Sequence, residues 1–324
     1  MARRGSRETN TDTTLRDFLT ETWLPAIRRS IRDSTYSGYV SHVHCHIIPA
    51  LGSLRLASVK PSDINGFYAR LLREGGARSK EPLSGTTVRR VHATFRRAFR
   101  DAVKWGLVDG NPVSRADPPS PRADTPREMT TWRAEELKQF LSSVAPHEDR
   151  ELWHVLAMTG LRRGEALGLR WCDVDFERAS LSIRQTVITI GYDVVVSGPK
   201  SSRGRRVVAL DETTLKVLRD LKPTDARAAD LVFHREGQPL HPVRVSKTFK
   251  RLVRQIGLPD IRLHDLRHTH ATLALEAGIH PKIVSERLGH STVALTLDIY
   301  SHCLQHMQHD AAEQISRLVA GRER

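Results

Sequence analysis

Apolar residues in the first third of the chain recur at three- and four-residue steps, the period of helices that bury one face. The pattern runs from Leu15 to Ile31, Tyr36 to Leu51, Pro61 to Arg73 and Thr86 to Trp105, with Gly or Pro between the runs, and predicts a small helical bundle. From Asn111 to Met129 it lapses. The stretch NPVSRADPPSPRADTPREM holds five prolines and few apolar residues, so it can neither continue a helix nor bury a face. This predicts a helical domain over 11–112, a linker over 113–128 and a second domain over 129–324. In the second domain, Trp132 to Val144 and Leu152 to Arg170 read as helices. LSIRQTVIT, YDVVVS and RRVVAL alternate as strands do. Helical patterns resume at Val243 to Ile256, Leu263 to Ala277, Pro281 to Leu288, Val293 to Gln305 and Ala311 to Leu318. The fold class is mainly α with one small antiparallel β-sheet.

At 324 residues two domains are the natural expectation. No apolar run approaches the roughly 20 residues that span a bilayer. The opening MARRGSRETNTDTT has the charge of an export signal but no apolar stretch after it, so a cytoplasmic protein is expected. Cys45, Cys172 and Cys303 are odd in number and scattered, which suits reduced thiols better than disulfides or a metal site. Lys and Arg outnumber Asp and Glu by 51 to 37, an excess that draws polyanions, nucleic acid first among them. Residues 1–125 carry 21 basic against 12 acidic side chains, most of that excess. In the fourth helix Val88, Val91, Phe95, Ala98 and Ala102 form one apolar stripe. Arg89, Arg90, Arg96, Arg97, Arg100 and Lys104 fall elsewhere on the circumference, as on a helix that lies along DNA and reaches phosphate oxygens. A merely solvated face would read the same way.

Four patterns in the second domain carry candidate chemistry: T-G-L-R-R-G-E at 159–165, P-K at 199–200, H-D-L-R at 264–267, and L-G-H followed by Tyr300. Each is weak alone. H-x-x-R also occurs at His147/Arg150 and His241/Arg244. As an ordered set, TGLRRGEALGLRWCDVD, HDLRHTHATLALEAG and LGHSTVALTLDIYSH resemble the three motif boxes of the tyrosine recombinases, the family of phage integrases and chromosome-dimer resolvases, over roughly 130–305. The resemblance implies a catalytic domain in which Arg162 is the first phosphate-binding arginine, Glu165 its supporting acid and Lys200 the hairpin lysine. His264, Arg267 and His290 would complete the pocket around the nucleophile Tyr300. It also implies a two-domain clamp on double-stranded DNA, with the helical domain binding the core site. A homo-tetramer on synapsed DNA would follow, with a tail after Tyr300 (Ile315, Leu318 and Val319 its apolar residues) packing in cis or on a neighbour.

The residue types suit that chemistry. Breaking a phosphodiester without metal requires cations around its non-bridging oxygens, and arginine forks stay protonated while giving paired hydrogen bonds. His264 and Arg267, three apart near a helix start, share a face. Tyrosine, with a usual pKa near 10, needs help to lose its proton, for which His264 is the candidate base. His290 would bond a phosphate oxygen, and Lys200 would protonate the leaving 5′-oxygen. The product is a 3′-phosphotyrosine that stores the bond energy, so rejoining requires no ATP. The chain has no Walker loop and no H-E-x-x-H, and no nucleotide or metal cofactor is implied. Glu165 reads as a brace for Arg162, not a proton carrier. The histidines at 42, 44 and 46 and at 302, 306 and 309 lack convergent ligand spacing, and Trp132 and Trp171 read as core.

Many integrases carry an arm-DNA-binding module ahead of the helical domain, whereas about a dozen polar residues precede Leu15 here. Integration or excision of a prophage or integrative plasmid, with a possible accessory directionality factor, is the favoured reading on the wording of the C-terminal boxes. Dimer resolution, a type IB topoisomerase and a catalytically silent DNA-binding regulator are the alternatives.

Overall fold

The structure is a computed structural model describing residues 12–76, 81–120, 130–198 and 205–290, with 292–294, 296–297, 312, 316–317 and 319–320. The chain divides into two compact units, Met1–Arg127 and Glu128–Arg324.

Among its described residues the first unit has four long helices, α1 (15–27), α2 (33–51), α3 (Pro61–Glu74) and α4 (Gly85–Lys104), with short 3-10 turns at Leu56–Ser58 and Pro112–Arg115. In both α1 and α2 a π-helical segment, Phe18–Trp23 and Val43–Ile47, runs directly into a turn that holds a proline, Pro25 and Pro49. Proline has no N–H for the preceding turn and its ring crowds the carbonyl there, and the wider turn before it absorbs the mismatch without ending the helix. The expected apolar stripe of α4 is buried throughout, against Phe18, Trp23, Phe67 and Tyr68 of the other helices. Trp23 Nε1 donates to Asp101 at 2.9 Å, and Ser84 caps the start of α4 by accepting from the Thr87 N–H.

The second unit runs α5 (Ala134–Ser143), α6 (Arg150–Thr159), α7 (Arg163–Leu167), β1 (Val174–Asp175), β2 (Ser180–Ile183), β3 (Thr186–Ile190), β4 (Asp193–Ser197) and β5 (Arg206–Ala209). It continues with α8 (Glu212–Leu221), β6 (His234–Arg235), β7 (Gln238–Pro239), α9 (Pro242–Ile256), α10 (Asp265–Glu276) and α11 (Pro281–Leu288). Trp132, Phe140, Trp153 and Phe249 form the aromatic centre of its core, with ring centroids 5.1–5.9 Å apart. Trp132 and Trp171 are both core residues.

Three expectations are corrected. The single sheet is three small antiparallel ones among the described residues: β1-β2-β5, the hairpin β3-β4 and the hairpin β6-β7. LSIRQTVIT breaks at Arg184 and Gln185, where the Gln185 side chain donates to the Gly168 carbonyl at 2.8 Å and redirects the chain. The predicted helix over 152–170 is two helices. Gly160 takes a left-handed φ of 64° that ends α6, and Arg162 is extended before α7 begins. The periodic leucines on either side hide this break. Finally, α8 and the β6-β7 hairpin went unpredicted, although Asp211 caps α8 through the Thr214 N–H in the ordinary way. No helix among the described residues is long and apolar enough to cross a membrane.

Candidate active site

The break between α6 and α7 builds the first part of the site. Glu165, three residues after Arg162, accepts from the Arg162 backbone N–H at 3.0 Å and from its Nη1 at 2.8 Å, a capping box that pins both the chain and the guanidinium. The second part is the start of α10. There Asp265 accepts from the Arg262 N–H, Nε and Nη2 at 2.8, 2.9 and 2.7 Å, which fixes the turn carrying His264 and, one turn on, Arg267. The third part is the end of α11, closed by Gly289 at φ 66°, after which the His290 N–H donates back to Ser285.

Arginines join the three parts. Arg267, only 3% exposed, donates to Gly160 O at 2.8 Å and Leu288 O at 2.5 Å. Arg162 Nη2 donates to Gly289 O at 3.2 Å. Arg206, at the start of β5, donates to Arg287 O at 2.6 Å and through both Nη atoms to Glu165 at 3.1 and 2.8 Å. Thus the carbonyls of 287, 288 and 289, which a helix end leaves without partners at the negative pole of its dipole, each receive a guanidinium. The result is a cluster of positive charge held by the backbone and directed toward His290.

The charge sets the protonation of its neighbours. Burial lowers the pKa of His264 to about 4, with His268, Arg267 and Arg162 adding to the effect against the pull of Asp265. His290 also falls to about 4, from burial and then Arg267, Arg162, His268 and Arg206. Both rings are therefore neutral at pH 7, and each can offer one N–H and one acceptor nitrogen. His290 Nδ1 lies 2.8 Å from Thr296 Oγ1, which leaves Nε2 for another partner. Burial would raise Glu165, but its bonds to Arg206, the charge of Arg206 and then Arg162 hold it down to about 2.

The structure thus brings Arg162, Glu165, His264, Arg267 and His290 together. Lys200 and Tyr300 lie outside the described residues, as do Cys303, the histidines at 302, 306 and 309, the tail residues Ile315 and Leu318, and the linker residues from 121. Val319 is exposed. Sequence reasoning missed Arg206 as a member of the cluster. It also missed His268, whose ring packs edge-on to His264 with centroids 5.1 Å apart. Arg287 was missed too: it rivets α11 to Ala209 O, Met158 O and His270. Nothing in local spacing distinguishes these from the other basic residues around them.

In the first unit Arg96, Arg97 and Arg100 line one groove of 530 Å³ on α4 together with His92, Asn111 and Ser114. Arg90, Arg96, Arg100 and Lys104 are exposed. Arg97 is half-buried: it donates to the Tyr39 hydroxyl at 3.2 Å, lies over that ring and faces Asp101. Arg89 bonds its own unit at Thr86, Pro119 and Ser120. His42 bonds Thr94 at 2.8 Å, a contact within the bundle.

Comparison with known proteins identifies the family. Residues 128–307 match the model of the phage integrase family, and residues 14–72 that of the phage integrase N-terminal SAM-like domain. The chain therefore belongs to the phage integrase family, the tyrosine recombinases that cleave and rejoin DNA. A tyrosine recombinase XerC-like protein of Caldanaerobacter subterraneus is 28% identical, the match covering 95% of this chain and 84% of the relative. An integrase of Mycobacterium phage L5 is also 28% identical, over 94% of this chain and 79% of its own. Among solved structures, the Tn1549 transposon integrase in complex with transposon right end DNA aligns with a TM-score of 0.73 at 23% identity, covering 94% of this chain and 99% of that one. A lambda integrase tetramer bound to a Holliday junction aligns at 0.67 and 19%, covering 90% and 78%.

Proposed function

We propose that this recombinase integrates or excises a mobile element, a prophage or integrative plasmid, with the second unit performing the chemistry on one phosphate at a time. Arg162 and Arg267 bind its non-bridging oxygens, and His290 donates a hydrogen bond to one of them. His264 accepts the Tyr300 proton as the phenolic oxygen attacks phosphorus. The bond to the 5′-oxygen breaks, Lys200 supplies its proton, and a 3′-phosphotyrosine remains. A bound phosphodiester anion beside His264 favours its charged form, so the ring becomes a stronger base when DNA is present. Glu165 braces Arg162. Its two oxygens already accept four N–H groups, which leaves it no part in proton transfer.

The observation that carries this reading is the meeting of Arg162 and Arg267, from boxes more than 100 residues apart, on consecutive carbonyls at the end of α11. The exposed arginines of α4, with Lys104, would bind the phosphates of double-stranded DNA around the core site. The relatives named as integrases support the mobile-element reading, and the XerC-like relative keeps dimer resolution as the second one. The lambda tetramer supports assembly of four protomers on synapsed DNA. A cytoplasmic location, an accessory directionality factor and independence of metal and nucleotide belong to the same reading.

The test is a covalent adduct. Wild-type protein incubated with a nicked duplex of its own flanking DNA is expected to form a DNA adduct that survives denaturation, and Tyr300→Phe is expected to form none while still binding DNA. Salt-sensitive binding with no adduct from the wild type on confirmed cognate DNA would favour the silent regulator.

A further inference from the structure

A one-to-one pair of Arg162 with Glu165 would be electrically neutral, and a neutral pair holds little attraction for a phosphate. The structure places a second arginine on the same carboxylate. Arg206 sits in β5 opposite Ile183 of β2, so its backbone is held in the sheet. Its side chain is 7% exposed and meets Glu165 fork to fork, while Arg162 on the other side of the carboxylate is 41% exposed. We propose that Arg206 is a positioning residue that neutralises Glu165 from behind, so that the Arg162–Glu165–Arg206 triad keeps one net positive charge and presents it on Arg162, the open member.

The rest of the geometry supports this division of labour. A buried carboxylate is retained only when its charge is matched and its oxygens are hydrogen-bonded, and Arg206 supplies both. Arg206 also ties the triad to α11 through Arg287 O, one residue before the carbonyl that Arg267 holds and two before the one that Arg162 holds. It stands six residues after Lys200 in the sequence, so the same side chain anchors the strand that leaves the lysine segment to the phosphate pocket. Arg206 touches neither DNA nor the reacting atoms in this scheme and acts through Glu165.

The inference rests on the recombinase reading above, and the experiment separates the two. Single-turnover adduct formation on the nicked duplex is measured for the wild type, Tyr300→Phe, Arg206→Ala, Glu165→Gln and the Arg206→Ala/Glu165→Gln double variant, with thermal melts for each. An adduct from the wild type and none from Tyr300→Phe upholds the recombinase reading whatever Arg206 does; no wild-type adduct on cognate DNA overturns both. Arg206→Ala, which makes the remaining pair neutral, is expected to slow cleavage about 100-fold, the scale of losing one charge-stabilising group. Adding Glu165→Gln restores the net positive charge and is expected to recover about tenfold of that loss. A merely structural Arg206 predicts the reverse, a double variant as slow as the single one or slower, and that result would overturn the proposal. So would Arg206→Ala cleaving at the wild-type rate. The pH profile gives a second readout: without Arg206 the Glu165 carboxyl rises toward its ordinary range, and because its protonation removes the same charge as Glu165→Gln, cleavage by Arg206→Ala is expected to recover relative to the wild type as the pH falls through that range. In the double variant, which has no carboxyl at position 165, that pH-dependent recovery is expected to be absent. If Arg206→Ala melts below the assay temperature, Arg206→Met fills the same volume without the charge, and the same comparison with Glu165→Gln decides.

Discussion

The two units use arginine in opposite ways. On α4 of the first unit Arg90, Arg96 and Arg100 stand in solvent, with Arg96 and Arg100 on the rim of an open groove. In the second unit Arg206 and Arg267 are buried, and with Arg162 they are committed to named carbonyls and to Glu165. Exposed arginines keep their hydration and reach phosphates at many registers, which suits affinity. Arginines fixed by backbone carbonyls have one geometry, which suits a reaction whose charge develops at one place. Both regions are basic, but only the second is preorganised.

The sharpest way to break that contrast is Arg267. Arg267→Ala leaves Gly160 O and Leu288 O without their donor and removes the charge at the centre of the pocket. It is expected to lower stability by about 2–5 kcal/mol, the cost of leaving two buried carbonyls unsatisfied at about 1–3 kcal/mol each, and to abolish the adduct. Denaturant melts and the adduct assay check it; Arg267→Lys, which lacks the fork, is expected to restore little of the activity. A wild-type-like melt would mean that the cluster is far less rigid than its contacts indicate.

A second test uses pH. His264, His270 and His290 all have folded pKa values of about 4, against an ordinary 6.5. Below 6.5 the unfolded chain takes up protons that the folded one refuses, so these groups favour the folded state fully above that range. Their contribution is lost progressively as the pH falls from about 6.5 to 4. Glu165 acts lower: its contribution is present above the ordinary carboxylate pKa and is lost as the pH falls toward about 2. The urea midpoint is expected to decline as the pH drops below 6.5. A flat midpoint between pH 6.5 and 4 would contradict the enclosure of these rings.

The smallest effect is expected on α4. Arg96→Ala with Arg100→Ala should weaken DNA binding about tenfold at moderate salt and lower the salt slope by about 2, with little change in the cleavage rate at saturating protein. An equal loss of cleavage rate at saturation would erase the distinction between the two regions.

Much of this architecture is legible in the chain's own pattern. The α4 stripe of Val88, Val91, Phe95, Ala98 and Ala102 follows from helical period alone, since side chains at such steps share a face wherever the helix packs. The boxes around Arg162, His264 and His290 can be read because their flanking residues and order are local properties of the chain. The Gly160 break is not legible. A glycine between two leucine-rich runs can be read as tolerated within one helix, and that the position admits no side chain shows only in the fold, where His270 and Leu288 each lie 2.7 Å from where a Cβ would sit. Asp211 before α8 carries a usable cap signal that the short apolar run after it obscures.

Helical period, the basic excess, the two-part organisation and the identity of the reactive residue types are all fixed in the order of the amino acids. Which arginines among many converge is settled only when the chain folds, because a guanidinium's partners here are backbone carbonyls and a carboxylate 21 to 127 residues away. Carbonyls are the same in every residue and leave no mark in a sequence. Arg206 is chosen over its basic neighbours by where β5 meets β2 and where α11 ends, and by nothing in its own letters.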